Sequence, residues 1–277
     1  MRIVDVRERS IGISRYSDSQ VASGGLTTSL VAVFTDVYRS GVPLVGYGFA
    51  SIGRYAQGGL IRDRFAPRLL AASVDDISTE DGSNIDPFRA WAAMMSGEKP
   101  GGHGERCVAV GALDMAVWDA AAKIADVPLY RFLADRLGRA VESRPIRIYA
   151  SGGYRYPDND LARLGSEIDR FVDLGFTETK IKIGADELDV DLRRIEVAAA
   201  CLGGSEYLAV DAMNAYDGRA TLTAAAAIQS FGLRWFEDVC DPLDLGRVSH
   251  NLSGRREIVG GWRLGRGFGC SPMVSGR

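Results

Sequence analysis

Glu178-Thr179-Lys180-Ile181-Lys182-Ile183-Gly184 reads as a short strand that ends by pointing two lysines the same way. Side chains alternate faces along a strand, so Lys180 and Lys182 share one side and Ile181 and Ile183 the other. Two ammonium groups side by side repel, and burying them costs free energy unless carboxylates or an anionic substrate lie opposite. Two carboxylates follow at regular distances. Asp211 closes the apolar run Tyr207-Leu208-Ala209-Val210, and Glu237 follows Leu233-Arg234-Trp235-Phe236. Asp211 comes 29 positions after Lys182, and Glu237 comes 26 after Asp211.

A closed (β/α)8 barrel of about 250 residues spends roughly 31 residues on each strand and helix, and its chemistry sits at the C-terminal ends of the strands. The spacing of Lys182, Asp211 and Glu237 suits three successive strand ends of that kind. From Pro145 onward the texture supports this, with strands expected at 147–151, 179–183, 207–210 and 233–237 and helices at 158–174, 187–202 and 220–231. The alternation predicts an α/β class with a parallel sheet.

Length and composition bound the remaining choices. The chain has 277 residues, 46% of them hydrophobic, enough for a sizeable core and for two domains. A formal charge of −3 gives no reason to expect nucleic acid or an acidic membrane as partner. The opening residues Met1-Arg2-Ile3-Val4-Asp5-Val6-Arg7 interleave charges with apolar residues, unlike a signal peptide, and no run approaches the roughly 20 apolar residues of a membrane span. Cys107, Cys201, Cys240 and Cys270 are scattered without metal-ligand spacing, which predicts small buried hydrophobes and a cytoplasmic setting.

Ahead of the alternating half, three strands are expected, at 2–13, 27–36 and 43–49. Polar, glycine-bearing loops around 15–25 and 50–58 are candidate lids. Helices are expected at 60–70 and 87–95. A long helix follows Lys99-Pro100-Gly101-Gly102-His103-Gly104-Glu105-Arg106 and contains Ala112-Leu113-Asp114-Met115-Ala116-Val117-Trp118-Asp119.

With the Lys-x-Lys strand and the Asp and Glu strand ends, that helix resembles the mandelate racemase group of the enolase superfamily. Within the group, the D-tartrate dehydratases are the closer likeness. It rests on Thr27-Thr28-Ser29-Leu30-Val31-Ala32-Val33, Gly53-Arg54-Tyr55, Gly58-Gly59-Leu60-Ile61-Arg62, Trp91-Ala92-Ala93-Met94-Met95, Glu98 to Arg106, and Asp241-Pro242-Leu243-Asp244. The resemblance implies an α+β capping domain over residues 1–140 and an incomplete (β/α) TIM-type barrel, about four of eight units, over 141–244. It also implies metal-dependent removal of a proton α to a carboxylate. Lys182 would be the base, with Lys180 orienting it and holding its pKa down, as a base working near neutral pH requires. Asp211 and Glu237 would bind Mg2+, whose charge offsets the enediolate that forms; a Lys or His base working with Mg2+ is the general arrangement of this superfamily. Lys99 and Asn214 are the candidates to bind the substrate, a small acid sugar such as tartrate, which then loses its β-hydroxyl; a structural turn is the other reading of the segment that holds Lys99 and His103. A full-length form would be a homo-oligomer.

Residues 245–277 differ in texture, with eight glycines and six arginines against one glutamate. The family's third metal carboxylate and catalytic histidine are not found where its pattern continues; Gly261-Trp262-Arg263-Leu264 stands near the expected place of the former. A truncation or shifted reading frame after Asp244 is therefore expected, and with it impaired dehydratase activity. Asp238 reads as a neighbour of the site or as plain surface. Met213 occupies the place two after Asp211 where the family usually has Asn, with Asn214 next. The competing readings are a racemase or another sugar-acid dehydratase, a non-catalytic remnant acting as a binding module, and Schiff-base chemistry at Lys182.

Overall fold

The computed structural model describes residues 1–12, 27–50, 56–101, 104–141 and 145–241. Most of both candidate lids, His103 and the chain beyond Asp241 lie outside these residues. The chain divides into two compact units, Met1–Ser143 and Arg144–Arg277.

The first unit is an antiparallel meander, β1 (Ile3–Gly12), β2 (Thr27–Arg39) and β3 (Val42–Phe49), followed by helices. The helix expected at 60–70 is built in three pieces, α1 (Gln57–Leu60), a π-helical turn (Ile61–Phe65) and α2 (Ala66–Ala71). After them come α3 (Val74–Ile77), α4 (Pro87–Met95), α5 (Glu105–Ile124) and α6 (Leu129–Arg136). Asp86 caps α4 by accepting from the N–H groups of Phe88 and Arg89, and Pro87 sits where its missing N–H is harmless.

The long helix α5 lies against β3, and two glycines make that approach possible. A Cβ on Gly46 would stand 2.0 Å from the Ala116 carbonyl oxygen, and one on Gly48 would stand 2.2 Å from that of Ala112. Ala112, Ala116 and Ala120 recur every four residues, so they form one small-residue ridge along the helix. Asp119 ties the pair further, accepting from the Tyr47 N–H at 2.8 Å and from Lys123 Nζ at 2.6 Å. The other side of α5 packs Leu113 and Val117 among Val31, Val33, Ile61, Phe65, Leu69 and Met94, all buried. Trp118 stands edge-on between Phe88 and Phe132.

The second unit is a parallel sheet in the order β4 (Ala150–Ser151), β5 (Thr179–Lys182), β6 (Leu208–Asp211) and β7 (Phe236–Glu237). Helices α7 (Asp160–Asp173), α8 (Leu188–Leu202) and α9 (Gly218–Ile228) connect them. Consecutive neighbours in a parallel sheet joined by helices are the arrangement that the alternating sequence implies. The outer strands are shorter than expected. The part of 147–151 that lies before Ala150 has no register partner on β5, and Ile148 there is exposed. Ile181, Leu208, Val210 and Phe236 face the helices and pack with Leu164, Ile168, Ile195, Ala198 and Ile228. Burial of each large aliphatic side chain contributes roughly 1.5–3 kcal/mol. The opposite face of the same strands holds the charges.

Among the described residues, no helix is long and apolar enough to cross a membrane. The expectation of buried cysteines needs correction: among the described residues Cys107 is exposed, and Cys201 and Cys240 are half-buried, all three free; Cys270 lies outside those residues.

Candidate active site at three strand ends

The site is built by register. Lys182 pairs with Asp211 across β5 and β6, and Asp211 pairs with Glu237 across β6 and β7. Cα partners in a parallel sheet present their side chains to the same face, so the three groups form a row. Lys180, two residues earlier, belongs to that face as well.

Lys180 Nζ donates to Glu237 Oε1 at 2.7 Å and lies 3.5 Å from Asp211 Oδ2. Lys182 Nζ donates to that same Asp211 oxygen. The other oxygens are also used: Asp211 Oδ1 accepts the Met213 N–H at 2.9 Å, and Glu237 Oε2 accepts the Trp235 indole N–H at 2.8 Å. Aromatic rings close the sides, Tyr149 below Lys180 at 5.8 Å and Tyr154 below Lys182 at 5.6 Å. Asp211 is 2% exposed and Lys180 8%, so these charges interact with little screening. Burial pulls the Lys180 pKa down, but the hydrogen bond and charge of Glu237, with Tyr149 and Asp211, outweigh it and leave it raised.

A third carboxylate joins the row. One oxygen each from Asp211, Glu237 and Asp238 can lie within 4.8 Å of one another. Asp238 has φ +46°, and its carbonyl accepts the Asn214 N–H at 2.6 Å, so the backbone is turned here and the side chain comes round to its neighbours. Burial, then the charges of Asp211 and Glu237, push the Asp238 pKa up, against the opposing effect of the two lysines. Three hard oxygen donors with crowded negative charge are the donor set that a divalent cation such as Mg2+ takes. The residues therefore fit the ion.

Of the residues singled out in the sequence, Lys180, Lys182, Asp211 and Glu237 are brought together. Asn214 is exposed at φ +61° and meets the site only through its backbone. Lys99 belongs to the first unit, where it is exposed and its carbonyl accepts from Arg106 at 2.7 Å. Sequence reasoning left Asp238 undecided and missed Arg194 and Asp191. Both are charged residues inside an amphipathic helix, and only their burial distinguishes them from a solvated face.

The unit thus carries lysines and carboxylates at its strand ends and a cluster able to hold a divalent cation. The comparisons point to a family. Residues 163–264 match the family model described as "Enolase C-terminal domain-like". That match runs past Asp244, where sequence reading had ended the resemblance. The chain is 31% identical over 155 residues to an arabinonate dehydratase from Saccharolobus solfataricus, covering 55% of this chain and 40% of that protein. It is 32% identical over 176 residues to a 3,6-anhydro-alpha-L-galactonate cycloisomerase from Streptomyces coelicolor, covering 63% and 45%. The crystal structure of a racemase from Streptomyces coelicolor A3(2) with bound magnesium superposes with a TM-score of 0.68 at 25% identity, covering 93% of this chain and 68% of that one. The segment 163–264 is thus similar to the enolase superfamily, and the chain's matched segments span less than half the length of these curated relatives.

Proposed function

We propose that the protein acts on a small acid sugar, removing the proton α to its carboxylate, and that the reaction continues as a dehydration in the manner of a D-tartrate dehydratase. The observation that supports this most directly is the in-register row Lys182–Asp211–Glu237, with Lys180 beside it. Lys182 is the base in this reading. Its side-chain nitrogen reaches Asp211 Oδ2, so a substrate carbon held beside that carboxylate would lie within its reach.

Lys180 stays protonated, as its raised pKa favours, and supplies fixed positive charge beside Glu237. Asp211, Glu237 and Asp238 would hold the divalent cation, which would supply positive charge to offset the negative charge developing on the substrate carboxylate. The Trp235 indole fixes one Glu237 oxygen and so aims the other. The sugar-acid dehydratases and cycloisomerases among the relatives support the substrate class. The tartrate preference rests on the sequence resemblance.

The test is exchange of the α-proton into D2O, followed by NMR on a panel of sugar acids with Mg2+. Exchange by the protein that is lost in Lys182→Met supports the reading. Equal exchange in the variant removes Lys182 as the base. A second reading, racemisation or cycloisomerisation, shares this first step and is separated from dehydration by the product formed.

A further inference from the structure

We infer that Arg194 and Asp191, two buried charged residues on α8, are positioning residues that grip the main chain on both sides of Lys182 and so aim its side chain along the carboxylate row. Both are 1% exposed. They stand three apart on the helix, hence on one face, and that face lies under the C-terminal end of β5.

The grip is specific in its contacts. Arg194 Nη2 donates to the Gly153 carbonyl at 2.5 Å and, more distantly, to the Lys182 carbonyl at 3.4 Å. The Gly153 carbonyl also accepts the Lys182 N–H at 3.3 Å, so one guanidinium holds both the strand-end peptide and that peptide's partner. Arg194 Nη1 pairs with Asp160, whose other oxygen accepts the Tyr156 N–H at 2.7 Å. Two residues beyond Lys182 the chain turns at Gly184, with φ +88°. There the N–H donates to Asp191 Oδ2 at 2.8 Å, and the same oxygen accepts the Tyr216 hydroxyl at 3.0 Å.

Hydrophobic packing alone would not need these charges. Burying an Arg and an Asp is costly unless each is fully bonded, and replacing such groups by apolar ones is often neutral or stabilising. Here the bonds converge on the few peptides that flank Lys182. An arginine suits the task because its rigid planar fork spreads its donors over separate nitrogens towards two carbonyls and a carboxylate, whereas the three donors of a lysine crowd on one nitrogen at the end of a flexible stem. Pinning the Lys182 Cα fixes the root of a side chain whose far end is held by Asp211. Small errors in placing a reacting group cost about 10²-fold in rate.

The inference rests on the reading of Lys182 as the base, and the experiment separates the two. In Arg194→Lys, which keeps the charge beside Asp160, native-state amide exchange should quicken roughly tenfold or more at Lys182 while the β6 ladder keeps its protection. Asp191→Ala, the second variant, should do the same at Gly184. In both, α-proton exchange on the sugar acid should fall about 10²-fold, with Mn2+ affinity measured by water-proton relaxation unchanged. Unchanged amide exchange at Lys182 and Gly184, or a uniform loss of protection across β5 to β7, overturns the inference and leaves the two residues with a general stabilising role. Absence of α-proton exchange in the wild-type protein sinks the base assignment instead, and the amide data then decide the grip by themselves.

Discussion

The Lys182 ammonium is hydrogen bonded to the Asp211 carboxylate between two strands that pair at these two residues. Asp211 also lies within ion-pair distance of Lys180, so one buried carboxylate answers a buried cation and a half-buried one. Asp211→Asn should therefore lower stability by about 3 kcal/mol, because it leaves positive charge without its partner. Chemical denaturation at neutral pH checks this. A loss below about 0.5 kcal/mol would mean that the lysines find water instead.

Divalent cation should stabilise the protein. At a cation concentration about 100 times Kd the gain is about 2.7 kcal/mol, a rise of several degrees in Tm by calorimetry. Glu237→Gln should remove most of that increment. The Trp235 indole is bonded to Glu237, so its fluorescence should shift on titration and the shift should vanish in Trp235→Phe. Equal stability with and without Mg2+ would show that the carboxylates serve the lysines only.

Gly48→Ala should cost about 3 kcal/mol or more. The new methyl would meet backbone atoms of α5, the Ala112 carbonyl at 2.2 Å and the Ala116 nitrogen at 2.9 Å, which no rotamer change relieves. Gly111→Ala is the control, since it lies within α5 with nothing near its Cβ, and it should gain up to about 1 kcal/mol. Thermal unfolding of the two variants tests both signs together.

Asp114 gives the stability a pH dependence of known sign. Burial pushes its pKa up to about 6, well above the usual carboxylate range, against a hydrogen bond from Trp118 that lowers it. The folded state thus holds the proton more tightly than the unfolded state, so the stability it contributes is fully present below about pH 4 and is lost as pH rises to about 6. Asp114→Asn should match the wild type below about pH 4 and exceed it above about pH 6, by no more than about 3 kcal/mol. Parallel denaturation curves from about pH 3.5 to about pH 7.5 would show this, and a constant difference over the range would contradict it.

What the sequence disclosed followed from the physics of each signal. Alternation places Lys180 and Lys182 on one face because a strand has a period of two, and an acidic residue closing an apolar run marks a strand end. Lys182, Asp211 and Glu237 were legible for that reason. Arg194 and Asp191 were not, since a helix surface is normally charged and periodicity does not tell a buried arginine from a solvated one. The Gly46 and Gly48 approach to Ala112 and Ala116 was hidden for another reason. Small residues become informative only when paired, and these pairs are more than 60 positions apart. Asp238 turns on a single positive φ, which no pattern of residue types announces at a non-glycine position.

The row of charges also acts on folding. Were β6 to slip by one residue against β5, Lys182 would face Val210 or Ala212 instead of Asp211, and an ammonium would be buried against an aliphatic side chain. A misaligned sheet would thus be penalised by the same groups that give the aligned one its chemistry. The row works as a register lock, so a chain that has paired its strands wrongly is rejected on electrostatic grounds before any substrate is met.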